Sequence, residues 1–358
     1  MKVAYDYTTA AFPHTGVWRY ARELACALAR AHPGDFRPFA LTLRRLPLPI
    51  EGTLHRRVPR SLLDWIWNRP LPFPLERFTG EADLVHIPHP LPVQARAPQV
   101  VTVHDLAWLA DPGFHPGRAP GAAEMRARFA RCRGILCDAE PVAAQVRSLA
   151  RGLPCLVRTV APGVHWTGPA RSAPPHWMER GAWLMAGDLS PRKNRARLLE
   201  AYGRLAPPKP PLVLVGGRPE EVERFRRSGP ALPPGASLLP RVGEDELHAA
   251  VTHAGALLYP SIDEGFGFPV LEAHACRTPV LTSDVPVLRG TSGGAALFID
   301  PLDTASIGDG LDRLRQLSPE ARDRLVADGA RNAAAYTWER CARETWAFYE
   351  EVLRDERR

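Results

Sequence analysis

The chain has 358 residues, and at about 150 residues per domain this length predicts two domains, each with a sizeable core. Hydrophobic residues make up 45% and charged residues 24% of the chain, which argues against disordered and fibrous proteins. The formal net charge of +7 favours anionic partners, namely nucleotide phosphates, an anionic membrane surface or nucleic acid, and does not choose among them.

No apolar run is long enough to cross a bilayer, and the N-terminal residues contain no apolar core followed by a cleavage site. We therefore expect a cytoplasmic protein. The six cysteines form no Cys-x-x-Cys pair, which predicts buried, reduced thiols. The histidines show no metal-binding spacing and Asp-x-Asp does not occur, so the sequence predicts no metal site.

Short apolar runs alternate with helical patterns, as expected of βα units around parallel sheets. In the first half, the predicted strands are 2–5, 36–43, 84–87, 100–103, 134–137 and 157–160, and an amphipathic helix is predicted at 18–31. A proline-rich stretch at 169–175 marks the predicted boundary, so the first domain is expected to span residues 1–168.

The same alternation restarts in the second half of the chain, which we expect to form a domain over 169–337. Its predicted strands are 183–186, 211–215, 256–259 and 280–282. Its predicted helices are 194–205, 245–252, 269–276 and 307–317. Ser318 and Pro319 predict a capped helix, and a last amphipathic helix is expected at 337–353. The sequence therefore predicts two similar α/β domains.

The segment 263–273 joins the predicted strand 256–259 to the predicted helix 269–276. Its glycines permit close approach of a ligand to the backbone, and the free N–H groups of the helix N-terminus favour an anion. Glu264 precedes the helix and Glu272 lies within it, and a carboxylate there can accept two ribose hydroxyl groups. A surface turn with a helix-capping acid is the alternative interpretation.

A second segment, 187–194, also lies between a predicted strand and a predicted helix. Ser190 and Pro191 are typical of an N-cap and a first helical position, which places Arg192 and Lys193 at the start of the helix. A guanidinium and an ammonium group there can hold phosphate oxygens and neutralise a leaving diphosphate. The alternative is a solvated basic pair.

Two features of the first half also have a functional interpretation. His104 follows the predicted strand 100–103, at the sheet edge where ligands of α/β proteins bind, although a lone histidine is often structural. Gly16 lies in a loop before the first helix and could let the backbone approach a ligand.

A basic stretch of the first half carries apolar residues between its arginines. We interpret it either as a solvated loop with a buried tryptophan or two, or as a patch that docks peripherally on the anionic inner face of a membrane. Its arginines are Arg44, Arg45, Arg56, Arg57, Arg60 and Arg69, and its apolar residues are Leu62, Leu63, Trp65, Ile66 and Trp67.

Taken in order, these motifs resemble those of the retaining glycosyltransferases of family 4. The motifs are Gly16-x-x-Arg19-Tyr20, His104-Asp105, Pro191-Arg192-Lys193-Asn194, Glu264-x7-Glu272 and Tyr336-Thr337-Trp338-Glu339. The similarity covers nearly the whole chain. It implies the GT-B fold, with two Rossmann-like parallel-sheet domains facing across a cleft, and a last helix, about 338–358, that packs back on the N-terminal domain.

The resemblance also implies roles for the donor-side residues. Arg192 and Lys193 match the residues that hold the diphosphate of a nucleotide-sugar, Glu272 matches the carboxylate that binds the ribose, and Glu264 matches the one facing the transferred sugar. The backbone of Val242 matches the contact with the base. The backbone amides near sugar and phosphate are then those of Gly265, Phe266, Gly267 and Phe268.

On the acceptor side, His104 matches a histidine that approaches the donor sugar, and Gly16 matches the glycine of a loop over the pyrophosphate. The family often has a second glycine two residues later, where this chain has Trp18. The resemblance therefore leaves two options: either the indole points away from the ligand or the loop is remodelled towards the acceptor.

The expected reaction is the metal-independent, retaining transfer of a hexose from a nucleotide-sugar such as GDP-mannose to a glycan or lipid-linked hydroxyl, with no cofactor. A nucleotide-sugar epimerase of the GT-B type would use the same cleft without an acceptor. A dinucleotide-dependent oxidoreductase would need Gly-x-Gly-x-x-Gly after the first strand, which is absent. A basic nucleic-acid-binding protein fits the charge, but the aromatic residues are not interleaved with basic ones, so no nucleic-acid partner is expected.

Overall fold

A computed structural model describes the chain except for residues 12–15, 47–49, 68–72, 92, 115–119 and 357–358. The chain divides into two compact units. The first comprises Met1–Leu109, Arg118–Gly163 and Tyr336–Arg358, and the second comprises Ala110–Gly117 and Val164–Ala335. The division after Gly163 precedes the expected boundary at 168, because Trp166 already packs in the core of the second unit.

The first unit is built on a parallel sheet with the strand order β3-β2-β1-β4-β5-β6-β7. Its strands are β1 (Val3–Asp6), β2 (Phe36–Leu41), β3 (Leu54–Arg56), β4 (Leu84–Ile87), β5 (Gln99–Val103), β6 (Gly134–Cys137) and β7 (Leu156–Thr159). The central strands β4, β5 and β6 are buried at every residue, which explains why they are continuous apolar runs rather than alternating ones.

The second unit repeats the design with the strand order β10-β9-β8-β11-β12-β13, again parallel throughout. Its strands are β8 (Trp183–Ala186), β9 (Leu212–Val215), β10 (Ala236–Leu239), β11 (Ala256–Tyr259), β12 (Val280–Ser283) and β13 (Leu297–Ile299). The two sheets confirm the predicted α/β class with two Rossmann-like units.

Helices connect the strands, as parallel pairing requires. In the first unit they are α1 (Gly16–Ala31), α2 (Arg60–Trp67), α3 (Glu76–Thr79), α4 (Ala122–Phe129) and α5 (Glu140–Leu149). In the second unit they are α6 (Arg195–Arg204), α7 (Pro219–Ser228), α8 (Glu244–His253), α9 (Phe268–Ala275), α10 (Pro286–Ser292), α11 (Thr304–Arg315) and α12 (Pro319–Ala334). The Ser318 side chain caps α12 by accepting a hydrogen bond from Ala321 N, as the sequence predicts.

The C-terminal helix α13 (Trp338–Glu356) belongs to the first unit and packs on α1. The indole of Trp346 stacks on His32 with ring centroids 3.6 Å apart. The Tyr349 hydroxyl lies 2.6 Å from His86 Nδ1 on β4, so a buried polar contact fixes the helix to the sheet. No helix within the described residues is long and apolar enough to cross a membrane.

Candidate active site

The candidate site lies at the carboxyl edge of the second sheet, where the strand order reverses between β8 and β11. Ligands of open α/β sheets bind at such reversals, because the two loops diverge there. Here the loops after the two strands are joined by one backbone and one side-chain hydrogen bond. Ile262 N donates to Arg192 O at 2.9 Å, and Arg192 Nη1 donates to Asp263 O at 2.9 Å.

Two cations and one carboxylate meet between these loops. Lys193 Nζ donates to Glu264 Oε1 at 2.5 Å and to the Tyr259 hydroxyl at 2.7 Å, while Arg192 Nη1 donates to Glu264 Oε2 at 2.9 Å. Lys193 and Glu264 are each only 6% exposed. Burial alone would raise the pKa of Glu264, but Lys193 and Arg192 outweigh it and hold the pKa below its usual range. The three side chains together therefore carry one excess positive charge.

The turn that carries both cations differs from the predicted helix start. Pro191–Lys193 form a short 3-10 turn, and α6 begins only at Arg195, after Asn194 with a left-handed φ of 59°. The Asn194 amide stabilises this conformation by donating to Pro260 O at 3.0 Å and to Pro301 O at 2.7 Å. The sequence predicts a cap at Ser190, but the Ser190 side chain makes no capping hydrogen bond to this turn. The cations thus lie on a turn that is pinned to the loop after β11.

A buried arginine orders the backbone that precedes this turn. Arg195 donates from Nη2 to Gly187 O at 2.6 Å and from Nη1 to Asp188 O, and burial lowers its pKa to about 10. The loop after β9 packs directly on the same segment, since a Cβ added to Gly216 would lie 1.6 Å from Gly187 O. Only glycine fits at this contact.

The loop after Glu264 leads into α9 through a left-handed glycine. Gly267 has a φ of 93°, and a Cβ there would lie 2.6 Å from Leu288 Cδ2. No side chain caps the N-terminus of α9. The Phe266 ring is buried and contacts Phe268 edge to face at 5.1 Å, so the loop is packed rather than solvated.

The other donor-side residues lie in the same unit. Glu272 is on α9 and is 4% exposed, which is uncommon for a glutamate. Gly265 is buried beside Glu264. Val242 is half-buried, and the preceding Arg241 N donates to Gly217 O at 2.9 Å, which holds the start of this loop against the glycine turn after β9.

The two acceptor-side residues lie in the first unit. His104 follows β5, and its ring nitrogens lie 2.7 Å from Asp138 Oδ2 and 3.1 Å from Pro88 O. Gly16 is exposed at the first position of α1, and most of the loop before it lies outside the described residues. Trp18 is 8% exposed, so its indole is buried in α1 rather than presented to solvent.

The structure thus brings Arg192, Lys193 and Glu264 into direct contact. Sequence reasoning missed Tyr259 and Asp138. Each could have been found as a polar residue at the end of a buried strand, the position that drew attention to His104. Within the described ranges, no group of three or more His, Cys, Asp or Glu side chains is arranged to hold a metal ion.

Comparisons with known proteins agree with these observations. A family model described as glycosyl transferases group 1 matches residues 173–331. The chain is 28% identical to the O-antigen chain mannosyltransferase B of Escherichia coli, over 96% of this chain and 98% of that protein. It is 30% identical to a D-inositol 3-phosphate glycosyltransferase of Frankia alni, over 72% of this chain and 69% of that protein.

A solved structure with a similar fold is the sucrose-phosphate synthase from Thermosynechococcus elongatus. The TM-score is 0.74 at 19% identity, with 98% of this chain and 99% of that chain covered. At this identity the likeness shows a shared fold.

Proposed function

The chain belongs to the glycosyl transferases group 1 family and is a glycosyltransferase with the GT-B fold, and from this premise we propose its reaction. It moves a hexose from a nucleotide-sugar to a hydroxyl group of a glycan or lipid-linked acceptor, with retention of anomeric configuration and without a metal ion. The similarity to an O-antigen chain mannosyltransferase favours mannose, so GDP-mannose is the first donor to test.

The observation that carries the proposal is the contact of Arg192 and Lys193 with Glu264 at the strand-order reversal of the second sheet. When the sugar–phosphate bond breaks, its electron pair stays on the nucleoside diphosphate, which gains one negative charge in addition to those it already carries. Two cations already fixed in a buried site stabilise that charge without the cost of reorganisation. A divalent metal ion serves the same purpose in other enzymes, and here the guanidinium and ammonium groups take it over.

The roles of the remaining residues follow the resemblance to the retaining glycosyltransferases of family 4. The uncapped N-terminus of α9 and the backbone of 265–268 face the phosphate and sugar, and Glu272 accepts hydrogen bonds from the ribose. Glu264 orients the transferred sugar, and Val242 contacts the base through its backbone. The acceptor hydroxyl enters from the face that the diphosphate leaves, which preserves the anomeric configuration.

Release of nucleoside diphosphate from a panel of nucleotide-sugars tests the proposal, with purified protein and a chelator present. Lys193→Ala and Glu272→Ala are each expected to lose most turnover. Lys209→Ala is a matched control, since Lys209 also lies over a tyrosine ring, that of Tyr202, at 4.1 Å but outside the cluster. Retention is read from the anomeric coupling of the product by NMR.

Two results would contradict the proposal. Wild-type turnover in both alanine variants would remove Lys193 and Glu272 from the site. An epimerised nucleotide-sugar formed from donor alone, with no transfer to any acceptor, would establish the epimerase alternative.

We also propose that the basic stretch of the first unit docks on an anionic membrane, which would bring a lipid-linked acceptor to the enzyme. It is not a loop throughout: α2 buries Leu63 and Ile66 and exposes Leu62 (45%) and Trp65 (52%). Leu43 is exposed as well, and Arg44, Arg45, Arg56 and Arg57 are exposed around it, whereas Arg69 lies outside the described residues. Apolar side chains among arginines suit an anionic interface.

Co-sedimentation with vesicles tests this docking. Binding to phosphatidylglycerol vesicles and not to phosphatidylcholine vesicles is expected, and Leu62→Ser should weaken it. Leu302→Ser is the matched control, because Leu302 is an exposed leucine of the second unit. Equal binding to both lipids, or none, would refute the docking and leave the transfer reaction untouched.

A further inference from the structure

The ring of His104 is held from both sides by oxygen atoms of its own unit. Nδ1 lies 2.7 Å from Asp138 Oδ2, at the end of β6, and Nε2 lies 3.1 Å from Pro88 O, at the end of β4. Since β4, β5 and β6 are neighbours in the sheet, three successive strand ends fix one imidazole. The Tyr20 ring packs edge to face against the imidazole, with ring centroids 4.7 Å apart.

Hydrogen counting restricts the protonation state of this ring. A carbonyl oxygen can only accept, so Nε2 must carry a hydrogen to bond with Pro88. Nδ1 and the carboxylate oxygen can bond only if one proton lies between them, on either atom. An arrangement in which both hydrogen bonds form therefore contains two protons, one on Nε2 and one between Nδ1 and Asp138 Oδ2. If either proton is removed, the ring nitrogen and the oxygen that it faces are both acceptors and repel each other.

The surroundings strengthen this restriction. Asp138 is 2% exposed, and its Oδ1 accepts no hydrogen bond from the residues that the structure describes, so its charge depends on the ring. Burial raises the pKa of Asp138, although His104 opposes it. Burial would lower the pKa of His104, yet Asp138 outweighs it and raises that pKa. Because both pKa values are raised, both shifts favour the state in which the proton between Nδ1 and Oδ2 is bound. The other titratable groups that interact with the pair are Asp105, Tyr20, His86, Cys137 and Cys341.

We infer that Asp138 is a positioning residue that locks His104 in a fixed orientation with both protons in place, so that His104 does not transfer protons at neutral pH. With both nitrogens occupied, His104 acts in the proposed sugar transfer through the fixed position and the retained protons of its ring, and not by exchanging a proton. This inference rests on the proposed function for its kinetic consequence but not for the locked state itself.

Histidine NMR tests the locked state without any substrate. The chain has twelve histidines, and in protein labelled with ¹³C at histidine Cε1 the His104 signal is assigned by its loss in His104→Gln. It should not titrate between about pH 5.5 and about pH 8 in the wild-type protein. In Asp138→Asn it should titrate with a pKa near or below the ordinary value of about 6.5. Asp105→Asn is the matched control and should leave the signal non-titrating.

Turnover of the donor against pH is the second readout. Asp138→Asn should lower kcat by about tenfold at pH 8 and recover as the pH falls through about 6.5, because the imidazolium then regains both protons. The KM for the donor should change little. A wild-type His104 that titrates near 6.5, or an Asp138→Asn variant with a non-titrating ring, would overturn the inference. Absence of turnover in the wild-type protein would instead count against the proposed function, since the NMR result is independent of it.

Discussion

Replacement of Lys193 by methionine tests the central cluster most directly. Methionine keeps most of the apolar stem and removes the ammonium group that donates to Glu264 at 2.5 Å and to Tyr259 at 2.7 Å. Because Glu264 is 6% exposed, its carboxylate then loses one of two cations in a site that water reaches poorly. We expect lower stability and a loss of nucleotide-sugar turnover.

The magnitude follows from the geometry. Two unit charges about 4 Å apart attract by about 4 kcal/mol at an effective dielectric constant of about 20. Loss of one partner of a buried pair costs about 3–5 kcal/mol when the other charge is left alone. Here Arg192 remains 2.9 Å from Glu264 Oε2, so we expect Lys193→Met to cost about 3 kcal/mol, at the lower end of that range.

The assay is a double-mutant cycle with Glu264→Gln, read by urea unfolding followed by tryptophan fluorescence. The double variant leaves no unpaired carboxylate, so we expect a coupling free energy of about 2 kcal/mol between the two sites. Turnover should remain lost in the double variant, because the missing cation is not replaced. A coupling below about 0.5 kcal/mol would show that the contact contributes nothing and would refute this reasoning.

The pH dependence has a defined sign. The pKa of Glu264 is lowered in the folded protein, so the stabilisation is present above its unfolded value of about 4.3 and is lost as the pH falls through the lower folded value. The stability difference between wild type and Lys193→Met should therefore shrink in acid.

Substitutions at three further positions, with a control at a fourth, test close contacts and strain of the backbone. Gly216→Ala should displace Gly187, 1.6 Å from the added Cβ, and raise the donor KM without abolishing folding, as measured by initial rates and circular dichroism. Asn194→Ala should lower kcat and stability, whereas Asn194→Gly should recover the part of the stability, about 1 kcal/mol, that reflects left-handed strain; equal effects would contradict a strained backbone. Gly163→Ala should destabilise the first unit by about 1–3 kcal/mol through a clash with the backbone of α13, while Gly168→Ala, with nothing within 4 Å, should not; thermal unfolding compares them.

The central strands could be predicted from the sequence because both of their faces are buried. The apolar runs 84–87, 134–137, 183–186 and 256–259 correspond to β4, β6, β8 and β11 with the same bounds. Of the edge strands, β3, β10 and β13 could not be predicted, because they have three or four residues each and their partly buried pattern does not distinguish them from a loop. The edge strand β7 is also partly buried, and its prediction at 157–160 is one residue late.

The site was predictable in its members and not in its backbone. Arg192 and Lys193 were expected at the diphosphate and Glu264 at the transferred sugar of one donor site, and the structure brings the three side chains into direct contact. The predicted start of α6 was wrong, because Asn194 adopts a left-handed conformation. That conformation depends on carbonyl groups of two distant loops. Local propensity contains no information about such partners. Likewise, Asp138 is 34 residues from His104 along the chain, and only its place at the end of a buried strand indicates that the sheet brings it to His104.

For the proposed diphosphate ligand, the contact between Glu264 and the two cations holds the site ready before the ligand arrives. Without the carboxylate, Arg192 and Lys193 would lie close together as like charges in a poorly hydrated site, and their repulsion would favour other side-chain positions. With it, both are held by hydrogen bonds of 2.5–2.9 Å, and the cluster still has one excess positive charge for a diphosphate. A second carboxylate in the cluster would neutralise both cations and remove the attraction for a diphosphate. One carboxylate between two cations therefore combines order with affinity for an anion, which is the condition for electrostatic stabilisation of a leaving group.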